Sequence, residues 1–336
     1  MRINYITNLR AFAAFCVVFI HVASGLLDSG MPLPHGGAEM FFLEFYRHVA
    51  ECAVPVFVMI TGTLLLNSDK DIPYKIIFNK YIWRIFMALI IFGLPMNMLE
   101  LYSQNIHQNF ILVLASSFIS LIKGKCWAHM WYLYMLIGIY LLLPLFKKFI
   151  YYSSIVDEFI LLAVLFVMGF IIPTINSYSD SSLNNWMILP PYLCMLVAGD
   201  VLSKINPVLT SWSKLLIGGL LIIFCVILIL LKVICHVHFN FYIDPILLFL
   251  ATGLYLIFMS YDGESIVVNK ISRYSFAIYI VHPLFVNIIY KVFKINFSEY
   301  ASSWYYVPLV AVFVWFLSLL FSIALFKISF LKQNVL

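Results

Sequence analysis

Long apolar runs separated by short polar segments recur along the whole chain. The hydrocarbon core of a bilayer is about 30 Å thick, so a helix needs about 20 consecutive apolar residues to cross it. The pattern therefore predicts an all-α, polytopic transmembrane helix bundle with about ten spans. The predicted spans cover residues 8–28, 50–67, 81–102, 127–147, 156–175, 187–204, 213–235, 242–261, 274–293 and 304–327.

A further apolar stretch, at residues 108–122, is shorter than these spans. We expect it to be interfacial or re-entrant, because its length does not match the thickness of a bilayer core. A true span at this position would reverse the orientation of every later helix.

Composition agrees with the hydrophobic pattern. Hydrophobic residues make up 64% of the 336 residues and charged residues 10%, whereas a soluble domain carries about 25% charged residues. We expect one integral membrane domain over residues 1–336 and no soluble domain. The net charge of +5 does not indicate a nucleic-acid partner, because Lys and Arg occur in ones and twos between apolar runs.

The distribution of basic residues predicts the orientation. With ten spans and a cytoplasmic N-terminus, 14 of the 20 Lys and Arg residues lie on the cytoplasmic side, which follows the positive-inside rule. Both termini should then be cytoplasmic. The cytoplasmic set is Arg2, Arg10, Lys70, Lys75, Lys80, Arg84, Lys147, Lys148, Lys204, Lys214, Lys270, Arg273, Lys327 and Lys332, and the other set is Arg47, Lys123, Lys125, Lys232, Lys291 and Lys294.

Ionisable side chains inside apolar spans are costly and often mark function. In the first span, Arg10 and His21 are separated by apolar residues only. Their spacing is about three helical turns, so both lie on one face and about 16 Å apart. His21 is a candidate general base, since the ordinary pKa of histidine is about 6.5. The alternatives are a snorkelling anchor for Arg10 and a packing histidine for His21.

Three further groups are candidates for binding. Lys80 and Arg84, at the cytoplasmic end of the third span, suit phosphate groups or serve as topology anchors. Trp131 is a candidate for substrate binding or an interface anchor. In the ninth span, Ser275, Tyr279 and His282 share one face, which fits a cavity wall or a polar helix contact. We expect no metal site, because the six cysteines contain no CxxC and no ligand cluster is evident.

These features, in this order, resemble the acyltransferase 3 family of bacterial membrane proteins. Arg10 and His21 match its Arg and His signature, and the segment 54–62, Val-Pro-Val-Phe-Val-Met-Ile-Thr-Gly, is similar to its Val-Pro-x-Phe-Phe-x-x-Ser-Gly. Trp131 and the Ser275-x-x-x-Tyr279-x-x-His282 run match later motifs. The branch with a similar pattern contains the O-acetyltransferase of enterobacterial common antigen.

The chain departs from the family pattern at three points. Val58 replaces a Phe, Thr61 replaces a Ser, and the Arg-x-x-Arg of the third helix is Tyr81-x-x-Arg84 preceded by Lys80. The first two changes are mild. The third affects the residues that the resemblance assigns to phosphate contacts.

The resemblance implies transfer of an acyl group, usually acetyl, from cytoplasmic acetyl-CoA to a hydroxyl of a cell-envelope glycan, in the bacterial inner membrane. Such glycans include O antigen, common antigen, capsule and exopolysaccharide. It implies His21 as base or acyl relay and Arg10 as an orienting group. It also implies Lys80 and Arg84 as contacts to CoA phosphates. Substrate-binding candidates are Trp131, Ser275, Tyr279 and His282.

Two other functions fit an equally hydrophobic chain. An exporter of a lipid-linked sugar would favour internal repeats and ion-coupling carboxylates inside spans, and we find no repeat and few such carboxylates. A membrane scaffold or sensor would not require a functional role for Arg10 and His21. The expected partners are membrane lipid and an envelope glycan or lipid-linked saccharide acceptor, with no nucleic acid, and the sequence leaves the oligomeric state open.

Overall fold

The computed structural model describes residues 3–28, 37–66, 72–103, 109–178, 187–237, 243–261, 263–295 and 302–336. Every regular element in these ranges is a helix, which confirms the all-α prediction. In chain order the helices are α1 (Asn4–Asp28), α2 (Gly37–Ala50), α3 (Ala53–Leu65), α4 (Tyr74–Tyr102), α5 (Phe110–Ile122), α6 (Trp131–Tyr152), α7 (Ile155–Tyr178), α8 (Pro191–Ile205), α9 (Ser211–Ile234), α10 (Pro245–Ser260), α11 (Ile266–Arg273), α12 (Ser275–Val292), α13 (Ser303–Leu325) and α14 (Ser329–Asn334).

The ten predicted spans correspond to ten helical regions. Eight helices among the described residues are long and apolar enough to cross a membrane. The predicted spans 187–204 and 242–261 are the shorter helices α8, with 15 residues, and α10, with 16 residues. The chain is therefore a multi-pass membrane protein. Arg2 and Lys70 lie outside the described residues, and the cytoplasmic placement of the termini stays a prediction.

The predicted start of the second span was wrong. Helix begins at Gly37 rather than at residue 50, and α2 and α3 together form one apolar region from Gly37 to Leu65 with an interruption at residues 51–52. α2 is amphipathic and carries charged side chains on one face. These side chains lower the mean hydropathy of the segment, although the other face packs well.

The short apolar stretch at 108–122 is the helix α5. It has 13 residues, and the side chain of Asn109 caps its start by accepting a hydrogen bond from the Ile111 amide at 2.9 Å. Thirteen helical residues extend about 20 Å, which is less than the thickness of a bilayer core. The length is consistent with the predicted interfacial or re-entrant segment.

The chain divides into two compact units. The first comprises residues 1–68 and 149–319, and the second comprises residues 69–148 and 320–336. In the first unit, α1 packs against α2, α3 and α12. Its core contains Val18, Val22 and Leu26 of α1 together with Leu43 of α2 and Ile278 of α12.

Glycines let one helix pair of the first unit, α3 and α8, approach closely. A Cβ atom added to Gly62 of α3 would lie 1.9 Å from the Leu196 carbonyl oxygen of α8, and one added to Gly199 would lie 1.9 Å from the Met59 carbonyl oxygen. The two backbones are therefore in direct contact, as is common for small residues in membrane helices. This contact places Thr63, the residue after Gly62, against α8.

Candidate active site

Helix α1 carries the Arg10 and His21 pair. The helix is continuous from Asn4 to Asp28, so His21 lies eleven positions after Arg10 in regular helix. At about 3.6 residues per turn and about 1.5 Å rise per residue, they lie on one face and about 16 Å apart. Each of them meets a different set of neighbours in the first unit.

His21 lies against a second histidine, His282 of α12. The two ring centroids are 4.9 Å apart and the ring planes are inclined by 42°. His282 is fully buried, and its Nδ1 lies 3.1 Å from the carbonyl oxygen of Ile278. Because a carbonyl oxygen only accepts, Nδ1 carries a proton, and the neutral ring then has its lone pair on Nε2. The structure thus joins two candidates that the sequence treated separately.

The polar face of α12 points into the protein. Ser275, Tyr279 and His282 are all buried, and the ring centroids of Tyr279 and His282 are 6.3 Å apart. Pro283 follows within the helix, where it removes one backbone donor. Since α12 packs on α1, these side chains belong to the interior around His21.

Arg10 lies on a helix that packs against α10, which carries a buried tyrosine. The side chain of Tyr255 on α10 is fully buried. That hydroxyl is hydrogen bonded to Thr63, whose own hydroxyl donates to the Gly199 carbonyl oxygen at 2.6 Å. The ring of Tyr5 packs edge-on against Tyr255 at 5.9 Å between centroids. Arg10 itself interacts with the protein, which an anchor that snorkels to the membrane surface does not need.

Lys80 and Arg84 lie in the second unit, on α4. Lys80 belongs to a π-helical segment, Ile77–Ile82, and a second such segment covers Leu89–Gly93. The Lys80 ammonium is exposed and lies 5.7 Å from the centre of the Tyr81 ring. Within the described ranges neither Lys80 nor Arg84 contacts a carboxylate. Wide π-turns are frequent at functional sites, and the apolar pattern gave no signal for them.

Trp131 also lies in the second unit, as the first residue of α6. It follows a short 3₁₀ turn, Ala128–Met130, and its ring is 6.3 Å from that of Tyr132. The neighbouring His129 is buried and packs edge-on against Trp127 at 5.5 Å between centroids. The sequence analysis did not select His129, although its place beside Trp131 was a visible signal.

Sequence reasoning also missed a set of buried ion pairs in the first unit. Their carboxylates have 3% or less of their side-chain surface exposed. Only the pairs spaced by three or four residues on one helix were readable from the sequence. The pairs are Arg47–Glu51, His48–Glu51, Lys204–Glu158, Lys204–Asp200 and Lys232–Asp244.

Among the described residues, no group of three His, Cys, Asp or Glu side chains is placed to hold a metal ion. The candidate residues of the site offer imidazole, guanidinium and hydroxyl groups. These groups take up and return protons or stabilise developing charge.

Comparison with known proteins gives one positive finding. The family model described as Acyltransferase domain matches residues 3–326, which is nearly the whole chain. The match includes both units and every candidate residue. No curated protein matches the chain, and no solved structure matches it either.

Proposed function

The chain belongs to the acyltransferase family whose model it matches and is a membrane acyltransferase, and we propose that it moves an acetyl group from cytoplasmic acetyl-CoA to a hydroxyl of a cell-envelope glycan. The observation that carries this proposal is the contact between His21 and the buried His282. His21 lies on the same helix as Arg10. An exporter or a scaffold needs no such pair. We place the protein in the bacterial inner membrane.

The reaction exchanges a thioester for an ester. The acceptor hydroxyl attacks the acyl carbon, the carbon–sulfur bond breaks, and the hydroxyl proton finally resides on the released thiol. His21 takes that proton as general base, which an imidazole does near neutral pH. In the alternative sequence, a nitrogen of His21 attacks first and carries the acyl group until the hydroxyl displaces it.

The second imidazole supports either sequence. His282 is fixed by its bond to the Ile278 carbonyl, and its ring contacts that of His21. A fixed ring holds its neighbour in one orientation, which is the usual role of the third group beside a nucleophile or base. Ser275 and Tyr279, buried on the same face, are proposed to contact the substrate.

Arg10 of the first unit and two basic residues of the second unit supply positive charge to the proposed reaction. The guanidinium of Arg10, on the helix that carries His21, is suited to orient the reactants or to stabilise the oxyanion that develops on the acyl carbonyl. Lys80 and Arg84, whose charges no described carboxylate compensates, are proposed to bind the phosphates of CoA. Trp131 is proposed to contact the acceptor.

The decisive experiment compares envelope glycans from cells with and without the gene. Mass spectrometry of purified polysaccharides should find acetyl esters only when the protein is present, and mild alkali should remove them. Complementation with the His21→Gln variant, at matched membrane levels, should leave the glycans unmodified. Identical glycans from all three strains would show that the acceptor is not an envelope polysaccharide.

A further inference from the structure

A polar cavity lies between α2 and the end of α9 in the first unit. Its volume is about 310 Å³, which is at the lower end of the range for small-molecule sites. Its polar lining consists of Glu44, Arg47, His48, Lys232 and His236. None of these residues was selected from the sequence, and none belongs to the His21 site.

The amphipathic pattern of α2 creates one wall of this cavity. Glu44, Arg47 and His48 are spaced by three and four residues and share one face. The other face packs on α1, where the ring of Tyr46 meets that of Phe19 at 5.4 Å between centroids. The cavity therefore lies across α2 from the helix that carries His21.

The charges around the cavity disfavour an anionic ligand. Glu51 contacts Arg47 at 3.1 Å and His48 at 3.0 Å, and Asp244 contacts Lys232. Arg47 and Lys232 are thus compensated by buried carboxylates, and Glu44 adds a further carboxylate. A ligand therefore meets hydrogen-bond donors and acceptors together, with no uncompensated cation among these groups to attract an anion.

His236 adds an imidazole to the cavity lining. It follows the last turn of α9 with a φ of 51°, in the left-handed region. Glycine is preferred at this position after a helix, because a side chain there costs about 1–2 kcal/mol. Replacement of His236 by glycine therefore removes the imidazole without straining the backbone.

We propose that this cavity binds one uncharged saccharide unit of the acceptor glycan. A sugar hydroxyl both donates and accepts hydrogen bonds, so a ring with several hydroxyls satisfies guanidinium, ammonium, imidazole and carboxylate groups together. The predicted orientation places Arg47 and Lys232 on the non-cytoplasmic side, where envelope glycans are found. The proposal rests on the proposed function for the identity of its ligand.

Saturation-transfer NMR on the full chain in lipid nanodiscs tests the proposal. The probes are methyl β-glucopyranoside, methyl β-galactopyranoside and the methyl glycoside of glucuronic acid. Detergents with a maltoside or glucoside head group are avoided, since they would compete. Wild-type protein should bind at least one neutral glycoside and prefer it to the glucuronide.

Two variants remove cavity groups without breaking described contacts. Glu44→Ala and His236→Gly should each weaken binding of the neutral glycoside about tenfold, as expected for loss of a charge-assisted or well-placed hydrogen bond. His236→Gly should at the same time leave the melting temperature unchanged or higher. Lys294→Gly is the matched control, because Lys294 also has a positive φ, of 52°, but does not line the cavity.

The outcomes separate this proposal from the proposed function. Absence of glycoside binding by the wild type, or wild-type affinity in Glu44→Ala and His236→Gly, would overturn it. Preference for the glucuronide would overturn the uncharged class. His21→Gln should retain glycoside binding while losing acyl transfer. If the wild type binds the saccharide but transfers no acyl group to a glycan, the proposed glycan acceptor is contradicted and the cavity assignment stands.

Discussion

The basic residues considered in the two units differ in their charge partners. In the first unit, Arg47, Lys204 and Lys232 each contact a buried carboxylate, and His21 packs against His282. In the second, Lys80 and Arg84 lie on α4 without a carboxylate partner among the described residues. A compensated cation stabilises the fold, whereas an uncompensated one remains available to an anionic ligand.

The contrast separates two tasks of an acyltransferase. The proposed general base or acyl relay at His21 needs a fixed geometry, to which its contact with His282 contributes. The proposed recognition of CoA phosphates needs accessible positive charge, and the ammonium of Lys80 is exposed. Substitutions in each region should therefore affect different measurements.

The largest effect is expected at His21. His21→Ala and His21→Gln should both lower acetyl transfer by about 10² to 10⁴, since loss of general base catalysis has this magnitude. Glutamine keeps a donor and an acceptor of similar size, so it rescues a packing role but not a proton acceptor. Transfer from radiolabelled acetyl-CoA to an isolated glycan fraction measures the rate.

A thermal-shift measurement on the same preparations is the control for His21. Both variants should unfold near the wild-type temperature. Near-normal transfer by His21→Gln would contradict the catalytic role. Parallel loss of folding and of transfer in both variants would assign His21 to packing against His282.

An intermediate effect is expected at Lys204, which tests the compensated cations of the first unit. Lys204 contacts Glu158 at 2.5 Å and Asp200 at 2.9 Å. Lys204→Met should lower the free energy of unfolding by about 3 kcal/mol, because it leaves two buried carboxylates without their cation. Unfolding in SDS, followed by tryptophan fluorescence, measures this loss.

Lys214→Met is the matched control for Lys204. Lys214 is on α9 and hydrogen bonds to the neutral side chain of Asn206, so its loss should cost about 1 kcal/mol or less. Equal destabilisation by the two substitutions would mean that charge compensation does not distinguish the cations of the first unit.

The sequence predicted the long spans because apolar length alone determines what can cross a bilayer. It did not predict α2, since the charged face with Glu44 and Arg47 lowers the average hydropathy of a helix that packs well on α1. The contact of His21 with His282 joins two distant helices, and the Lys204–Glu158 pair does the same. Long-range pairing of this kind depends on helix packing, which a periodic pattern does not encode.

The local part of the site was more accessible to sequence reasoning. The spacing within α1 and the shared face of Ser275, Tyr279 and His282 follow from helix geometry alone. The π-helical turns around Lys80 were not predictable, because they alter the backbone hydrogen bonding without changing the apolar pattern. This matters for Lys80 and Arg84, whose side-chain directions depend on the width of the turn between them.

The smallest effect is expected at Lys80 and Arg84, which test the uncompensated cations of the second unit. The double substitution to alanine should weaken acetyl-CoA binding about tenfold, since charge-assisted hydrogen bonds to phosphate are partly screened at exposed positions. The residual binding should depend less on salt than wild-type binding does. Arg84→Lys keeps the charge and should lose less affinity than Arg84→Ala.

Lys75→Ala is the matched control. Lys75 is exposed on the first turn of α4 and belongs to the same predicted set of cytoplasmic basic residues. Titration of the protein in nanodiscs at two salt concentrations measures these affinities. Equal losses in Lys75→Ala and the double variant would reduce Lys80 and Arg84 to general surface charge. Unchanged affinity in the double variant would assign them to membrane topology alone.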